Sequence, residues 1–231
     1  MHSESAFRHS VIEHGYAIVP NVIAAEEADC VLAELNGAEL KRSRAGARHI
    51  LNQPCVQRVA RDARVLRFAQ GVLGQGALPF RATLFDKSAN SNWLVVWHQD
   101  TALPLREKRE TLGWGPWSVK EGVTYAHAPT LALEQILALR MHLDDSTEEN
   151  GPLRVLPGTH TKGVLTDMEL QDLDSRINSI ECAVSKGGVV AMRPLIAHAS
   201  SKSQSAHPRR VLHIEYTACS EFENQLRLAT A

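Results

Sequence analysis

The sequence predicts a mainly β protein with supporting helices, its strands forming an antiparallel sandwich or barrel. Three observations lead there. From Phe80 onward, short runs rich in β-branched and apolar residues recur at close spacing. Turn-forming clusters separate them, among them Glu149-Asn150-Gly151-Pro152, Pro157-Gly158 and Lys186-Gly187-Gly188. Two helical patterns precede the first run, and no repeat or Gly/Ser/Pro-rich linker divides the 231 residues. A single domain over 1–231 is therefore expected.

Taken in order, Gly15-Tyr16-Ala17-Ile18-Val19-Pro20 reads as a short strand stopped by proline. A helix over 25–36 follows, with Ala28, Val31, Leu32 and Leu35 at i, i+3, i+4 and i+7. Glu26 and Glu27 suit its positive N-terminal end, and Gly37 stands where a C-cap glycine belongs. Residues 38–52 are basic and irregular, with Lys41, Arg42, Arg44, Arg48 and His49. They read either as a solvated loop or as the edge of a flap over a pocket for an anionic substrate. A second helix is expected over 56–73, with Val59, Ala63, Leu66 and Ala69 on one side and Gly71, Gly74 and Gly76 breaking it.

Strands are expected at 80–87 and, after a polar turn at 88–92, through Leu94-Val95-Val96-Trp97 into His98. Residues 101–130 hold Pro104, Gly113, Gly115, Pro116, Gly122 and Pro129, together with Trp114, Trp117 and Tyr125. That is too aromatic for a disordered linker and too irregular for an obvious strand, so a long ordered loop is expected. Such a loop is either a lid or a structural segment packed on the outer sheet. Strand patterns resume at 137–143, 153–156, 180–184, 189–192 and 210–217.

Composition narrows the function classes. Twenty-five basic and 26 acidic residues leave a formal net charge of -1, so no basic field points to nucleic acid. No apolar run reaches the ~18 residues of a membrane span, and the first residues lack the basic and apolar regions of a signal peptide. Four cysteines are scattered without a CxxC pair, which fits free thiols in a cytoplasmic setting. The expected partner is a small molecule.

The chemistry concentrates at Trp97-His98-Gln99-Asp100. On a strand, residues i and i+2 share a face, so His98 and Asp100 would project side by side. His198 follows another apolar run. Two imidazoles and one carboxylate on one face of a metal, the other face open, form the facial triad of non-haem Fe(II) oxygenases. Other candidates carry plainer readings. His142 and His213 read as hydrogen-bonded packing residues within strands, and His160 as the support of a turn. His127 is a candidate substrate contact, while Trp114 and Trp117 serve either as packing residues or as substrate platforms. The acidic stretch 144–149 lacks the glycine and ligand spacing of a calcium loop, and Gly187-Gly188 opens no phosphate-binding helix.

Several motifs in order resemble the phytanoyl-CoA dioxygenase-like family of Fe(II)/2-oxoglutarate oxygenases. They are His98-Gln99-Asp100, then Glu149-Asn150-Gly151-Pro152-Leu153-Arg154-Val155-Leu156-Pro157-Gly158-Thr159-His160, then His198-Ala199-Ser200, and finally Arg209-Arg210-Val211-Leu212-His213. The similarity runs from about Gly15 to Thr217. It implies a double-stranded β-helix (jelly-roll, cupin-like) core, with His98, Asp100 and His198 as catalytic ligands of Fe(II). It implies 2-oxoglutarate as co-substrate and O2 as oxidant, with hydroxylation of a small or medium organic substrate and release of succinate and CO2. Arg209 occupies the family's interval for the co-substrate arginine, a guanidinium that can fork onto a carboxylate. Arg210 is its rival, because the phase of the strand is open. Ser200 and Lys87 resemble further co-substrate positions. Retention of Asp100 favours hydroxylation over halogenation, since related halogenases replace that carboxylate with a small residue.

Two features depart from the family. Arg140 stands where an aromatic residue is usual, and it either binds a substrate anion or pairs with Asp144, Asp145 or Glu134. The insert at 101–130 is the second departure, so an acyl-CoA substrate is not implied. Two other classes share the same ligand types: a cupin-like metal-dependent hydrolase or isomerase, active without O2, and a non-catalytic sensor that binds 2-oxoglutarate or metal without turnover.

Overall fold

Alternation along one strand shows how the chain builds its interior. In β14 (Arg209–Thr217), Leu212, Ile214 and Tyr216 enter the apolar core on one side, while Arg209 turns to the other. The computed structural model describes residues 4–88 and 91–230, so positions 89 and 90 of the expected turn lie outside the described residues.

The chain opens with α1 (Glu4–His14), β1 (Tyr16–Val19) and α2 (Ala25–Gly37). Two-residue strands β2 (Arg42–Ser43) and β3 (Gly46–Ala47) follow, then α3 (Pro54–Arg61) and α4 (Ala63–Leu73). Next come β4 (Leu78–Lys87), β5 (Val95–His98), β6 (Ala102–Leu105), β7 (Trp117–Lys120), β8 (Val123–His127) and the short α5 (Thr130–Leu133). The remainder runs β9 (Ile136–His142), β10 (Leu153–Val155), α6 (Asp167–Arg176), β11 (Ile180–Cys182), β12 (Val189–Met192), β13 (His198–Ser200) and β14.

The strands form a seven-stranded sheet in the order β1-β12-β9-β14-β4-β3-β2 and a four-stranded sheet in the order β11-β10-β13-β5. All their pairings are antiparallel. The larger sheet buries one face against the helices, where Val31, Leu32, Leu35, Val56, Val65 and Phe68 meet Leu139, Met141, Leu212 and Ile214. Its other face meets the smaller sheet through Ala138, Val190 and Met192, packed with Leu153, Val155 and Cys182. Leu139 is fully buried in the centre of the helix-side layer. Truncation to alanine is expected to cost ~2–5 kcal/mol, read as a lower urea midpoint with an unchanged m-value.

Several expectations are corrected here. The single helix over 56–73 is two helices, because Asp62 interrupts it and caps the second by accepting a hydrogen bond from the Arg64 N–H at 2.8 Å. Gly37 is the last residue of α2 and the cap is Ala38 in an extended conformation. Helices α1 and α6 were not expected; they bury only Phe7 and Val11, and Leu170, respectively, too few residues to print a helical period. Residues 38–52 include the edge pair β2–β3, which extends the large sheet beside β4. Gly46 there has φ +126°, and a Cβ would sit 1.8 Å from the Leu84 carbonyl oxygen. Residues 101–130 are not a loop: β6, β8 and β7 form a third, three-stranded sheet. It packs through Leu103, Leu105, Trp114 and Ala126 on Leu133, Leu195, Leu226 and Leu228. Among the described residues, no helix is long and apolar enough to cross a membrane.

Candidate metal centre

The smaller sheet places His98 and His198 directly opposite each other, at the end of β5 and the start of β13. Their ring centroids lie 4.1 Å apart. Asp100, two residues past His98, is held by its backbone N–H donating to the Pro194 carbonyl at 2.9 Å. Its carboxylate oxygens lie 3.9 Å from His98 Nε2 and 3.6 Å from His198 Nε2. One donor atom from each residue lies within 4.8 Å of the other two, a grouping that forms a potential iron site.

The chemistry of the donors fits a divalent cation. His98 Nδ1 lies 2.9 Å from the Val96 carbonyl, and His198 Nδ1 lies 2.9 Å from the Ile196 carbonyl. A carbonyl only accepts, so each Nδ1 carries the proton and each Nε2 presents its lone pair to the shared space. Burial pushes the His198 imidazole down to about 4, outweighing the pull of Asp100 in the other direction. Burial alone would raise the Asp100 carboxyl, but the imidazoles of His198, His213 and His98 and the Arg81 guanidinium hold it well below the usual carboxylate range. A carboxylate anion and two Nε2 atoms turned to one space form the donor set a metal requires.

Gln99, between two of these residues, is a positioning residue that sequence reasoning missed. Its amide donates to the carbonyls of Leu195 at 2.7 Å and Gly163 at 2.9 Å, and its oxygen accepts the Leu165 N–H at 2.8 Å. Its signal was there to read: a buried amide pointing opposite His98 and Asp100 on the same chain segment. Gln99→Leu is expected to weaken Co(II) or Fe(II) binding by ~10–100-fold, measured by metal titration with the fold checked by circular dichroism.

A cavity of ≈ 90 Å³ adjoins the three residues and is also lined by Phe85, Lys87, Trp93, Arg140, Ser200 and Arg209. Ser200 Oγ donates to the Gly151 carbonyl at 2.8 Å and accepts from Lys87 Nζ at 2.8 Å and from Arg209 Nη2 at 3.3 Å. Arg209 Nε also donates to the Asn150 carbonyl at 3.3 Å. Neither cation meets a carboxylate among the described residues. Burial and the charges of Arg209 and Arg140 push the Lys87 ammonium down to about 8. Burial, then Arg140, likewise lowers Arg209. Such uncompensated cations beside a potential metal site fit an anionic chelating co-substrate.

Other candidates fall elsewhere. Arg210 points away from the cavity; its guanidinium forks onto Asp144 at 2.6 and 2.8 Å, correcting its candidacy for the co-substrate. Asp144 is thereby removed as a partner of Arg140, which forms no ion pair with Asp145 or Glu134 either. Trp114 is buried in the cluster beneath the third sheet, against Phe222, and is not among the cavity-lining residues. His127 Nδ1 bonds Thr101 Oγ1 at 2.7 Å, outside the cavity lining. Missed by the sequence reading are Arg81, paired with Glu215, and Tyr125, whose hydroxyl bonds His49 Nε2 at 2.8 Å.

The family model described as phytanoyl-CoA dioxygenase (PhyH) matches residues 11–211. The L-proline trans-4-hydroxylase of Streptomyces griseoviridis is 26% identical over 73% of this chain and 64% of its own length. The chain thus spans less than two thirds of that relative. EctD from S. alaskensis, solved with 2-oxoglutarate and 5-hydroxyectoine, superposes with a TM-score of 0.69 at 19% identity, covering 91% of this chain and 74% of that one. The same protein with bound Fe gives 0.69 at 21% identity, over 96% and 78%. SnoN, a non-haem alpha-ketoglutarate-dependent epimerase from nogalamycin biosynthesis, gives 0.69 at 19% identity, over 94% and 83%. The two facing sheets are those of this cupin-type fold, as the jelly-roll expectation held.

Proposed function

The chain belongs to the phytanoyl-CoA dioxygenase family, and on that premise we propose that it is an Fe(II)/2-oxoglutarate-dependent dioxygenase hydroxylating a small organic substrate, with release of succinate and CO2. One observation carries the reading. Two Nε2 lone pairs and a carboxylate converge beside a cavity whose cations have no anion of their own. Bound iron, with 2-oxoglutarate and O2, supplies the oxidising power that breaks a substrate C–H bond.

The chain's own residues divide the remaining work. His98, Asp100 and His198 hold the metal from one side and leave the opposite side open. Arg209, with Ser200 and Lys87 beside it, receives the remote carboxylate of the co-substrate. Phe85, Trp93, Val95 and Leu153 line the cavity with apolar surface and limit water. The three-stranded sheet of residues 101–130 meets the large sheet where Arg81 lies over the Tyr125 ring and donates to the Ala102 carbonyl at 3.2 Å, and none of its residues is among those lining the cavity. The relative acting on L-proline supports a small substrate.

The test is succinate release with Fe(II), 2-oxoglutarate and O2 over a panel of small metabolites, beginning with amino acids. Turnover that needs all three supports an oxygenase. Activity surviving without O2 and 2-oxoglutarate would place the chain with the cupin-like hydrolases or isomerases, and 2-oxoglutarate binding without consumption would make it a sensor.

Co-substrate binding should also depend on pH through Lys87. An anion favours the protonated ammonium, whose pKa before binding is about 8. Affinity is therefore level below that pH and falls as pH rises through it, by up to ~10-fold per unit. Lys87→Gln should flatten the profile between pH 7 and 9, measured by 2-oxoglutarate titration.

A further inference from the structure

Arg140 stands at the centre of the large sheet, opposite His213 on β14. Its side chain is buried, yet no carboxylate pairs with it among the described residues. One edge of the guanidinium is fixed. Nη1 donates to His213 Nδ1 at 3.1 Å, and the Phe85 ring lies 5.1 Å below. Accepting at Nδ1 leaves His213 with its proton on Nε2, 3.8 Å from Glu215, which in turn pairs with Arg81. The Nε atom on the other edge is buried and has no partner. Burying that N–H without an acceptor is unfavourable, and the residue lines the cavity.

The charges point the same way. Arg209 and Arg140 both open onto this cavity with Lys87 beside them, and Asp100 is the one carboxylate lining it among the described residues. Asp100 is engaged by the metal under the proposed reading. Along β14, Arg209 and the position facing Arg140 are four residues apart, about 13 Å of strand. Two arginine side chains thus line one cavity from separate positions of the sheet, and a short diacid offers a carboxylate to each.

We propose that Arg140 is a second carboxylate-binding residue of this cavity, receiving the metal-proximal carboxylate of the co-substrate while Arg209 takes the remote one. This rests on the proposed oxygenase reading. The cavity is then a receptor for short dicarboxylates even before metal binds. Arg140 acts in that role as a binding and positioning residue: its guanidinium turns one carboxylate plane and so sets how the co-substrate approaches the iron.

The test needs neither metal nor turnover. Metal-free protein is titrated calorimetrically with glutarate and with pentanoate, which has the same chain length but a single carboxylate. The expected result is glutarate binding at least ~10-fold tighter, a gap that Arg140→Gln removes while leaving pentanoate affinity unchanged. Arg140→Lys should restore part of the gap, since it keeps the charge and loses the fork. Equal affinity for the two acids in the unaltered protein overturns the proposal without any variant. So does an Arg140→Gln change that weakens both acids equally, which marks a structural role. If protein saturated with 2-oxoglutarate still binds acetate, and does so through Arg140, the carboxylate belongs to the substrate and the assignment to the co-substrate is wrong. Should neither diacid nor monoacid bind, and Arg209→Gln change nothing, the co-substrate cavity itself, and with it the oxygenase reading, fails.

Discussion

Replacing Asp100 with alanine is expected to lower Fe(II) or Co(II) affinity by at least ~100-fold, the upper range for loss of a mere outer partner of a ligand, and to end succinate release with it. The reason is electrostatic as well as geometric. Among the described residues, Asp100 is the one carboxylate lining the cavity, beside Lys87, Arg140 and Arg209. Without it, the two imidazoles face a strongly cationic interior that repels a second cation. The fold should persist, because the β5–β13 pairing and the Gln99 bonds to Leu195, Gly163 and Leu165 do not involve the carboxylate. Metal titration and thermal unfolding of the same sample separate the two effects. An Asp100→Ala protein that binds metal and releases succinate as before would refute the ligand assignment.

The second large effect is at Arg209. Arg209→Gln keeps a hydrogen-bond donor near Ser200 and the Asn150 carbonyl but deletes the charge. Truncating one partner of a buried charged pair costs ~2–5 kcal/mol, so 2-oxoglutarate affinity should fall ~30-fold or more. Metal affinity measured without co-substrate should not fall; removing a nearby cation favours it slightly. That split between the two titrations distinguishes a binding role from a general loss of structure. The corresponding Arg210→Gln variant should leave 2-oxoglutarate affinity unchanged, because Arg210 spends its guanidinium on Asp144.

The contrast between these neighbouring arginines shows where sequence reasoning stops. Alternation says that Arg209 and Arg210 face opposite sides, but not which side is which. Asp144 decides, through contacts to both the backbone N–H and the guanidinium of Arg210, and it lies 66 residues away in the chain. The three strands within 101–130 were hidden for a related reason. They are four or five residues long, Pro104 interrupts the first, and Val119 is exposed on the second. Their cross-strand partners, more than local pattern, make them strands. Asp62 was legible in principle as a helix N-cap, yet the apolar spacing on both sides of it masked the break.

Local chemistry along the chain was enough to determine a mainly β protein behind two helical regions, and a pair of adjacent donors at His98 and Asp100. Both follow from periodicities of two and 3.6 residues, which a linear string carries intact. Only the tertiary structure decided that His198 lies opposite His98, that Arg140 Nε is buried without a partner, and that Trp114 packs against Phe222 away from the cavity. Those facts depend on register between strands distant in sequence and on which buried charges find partners, and neither is encoded at short range.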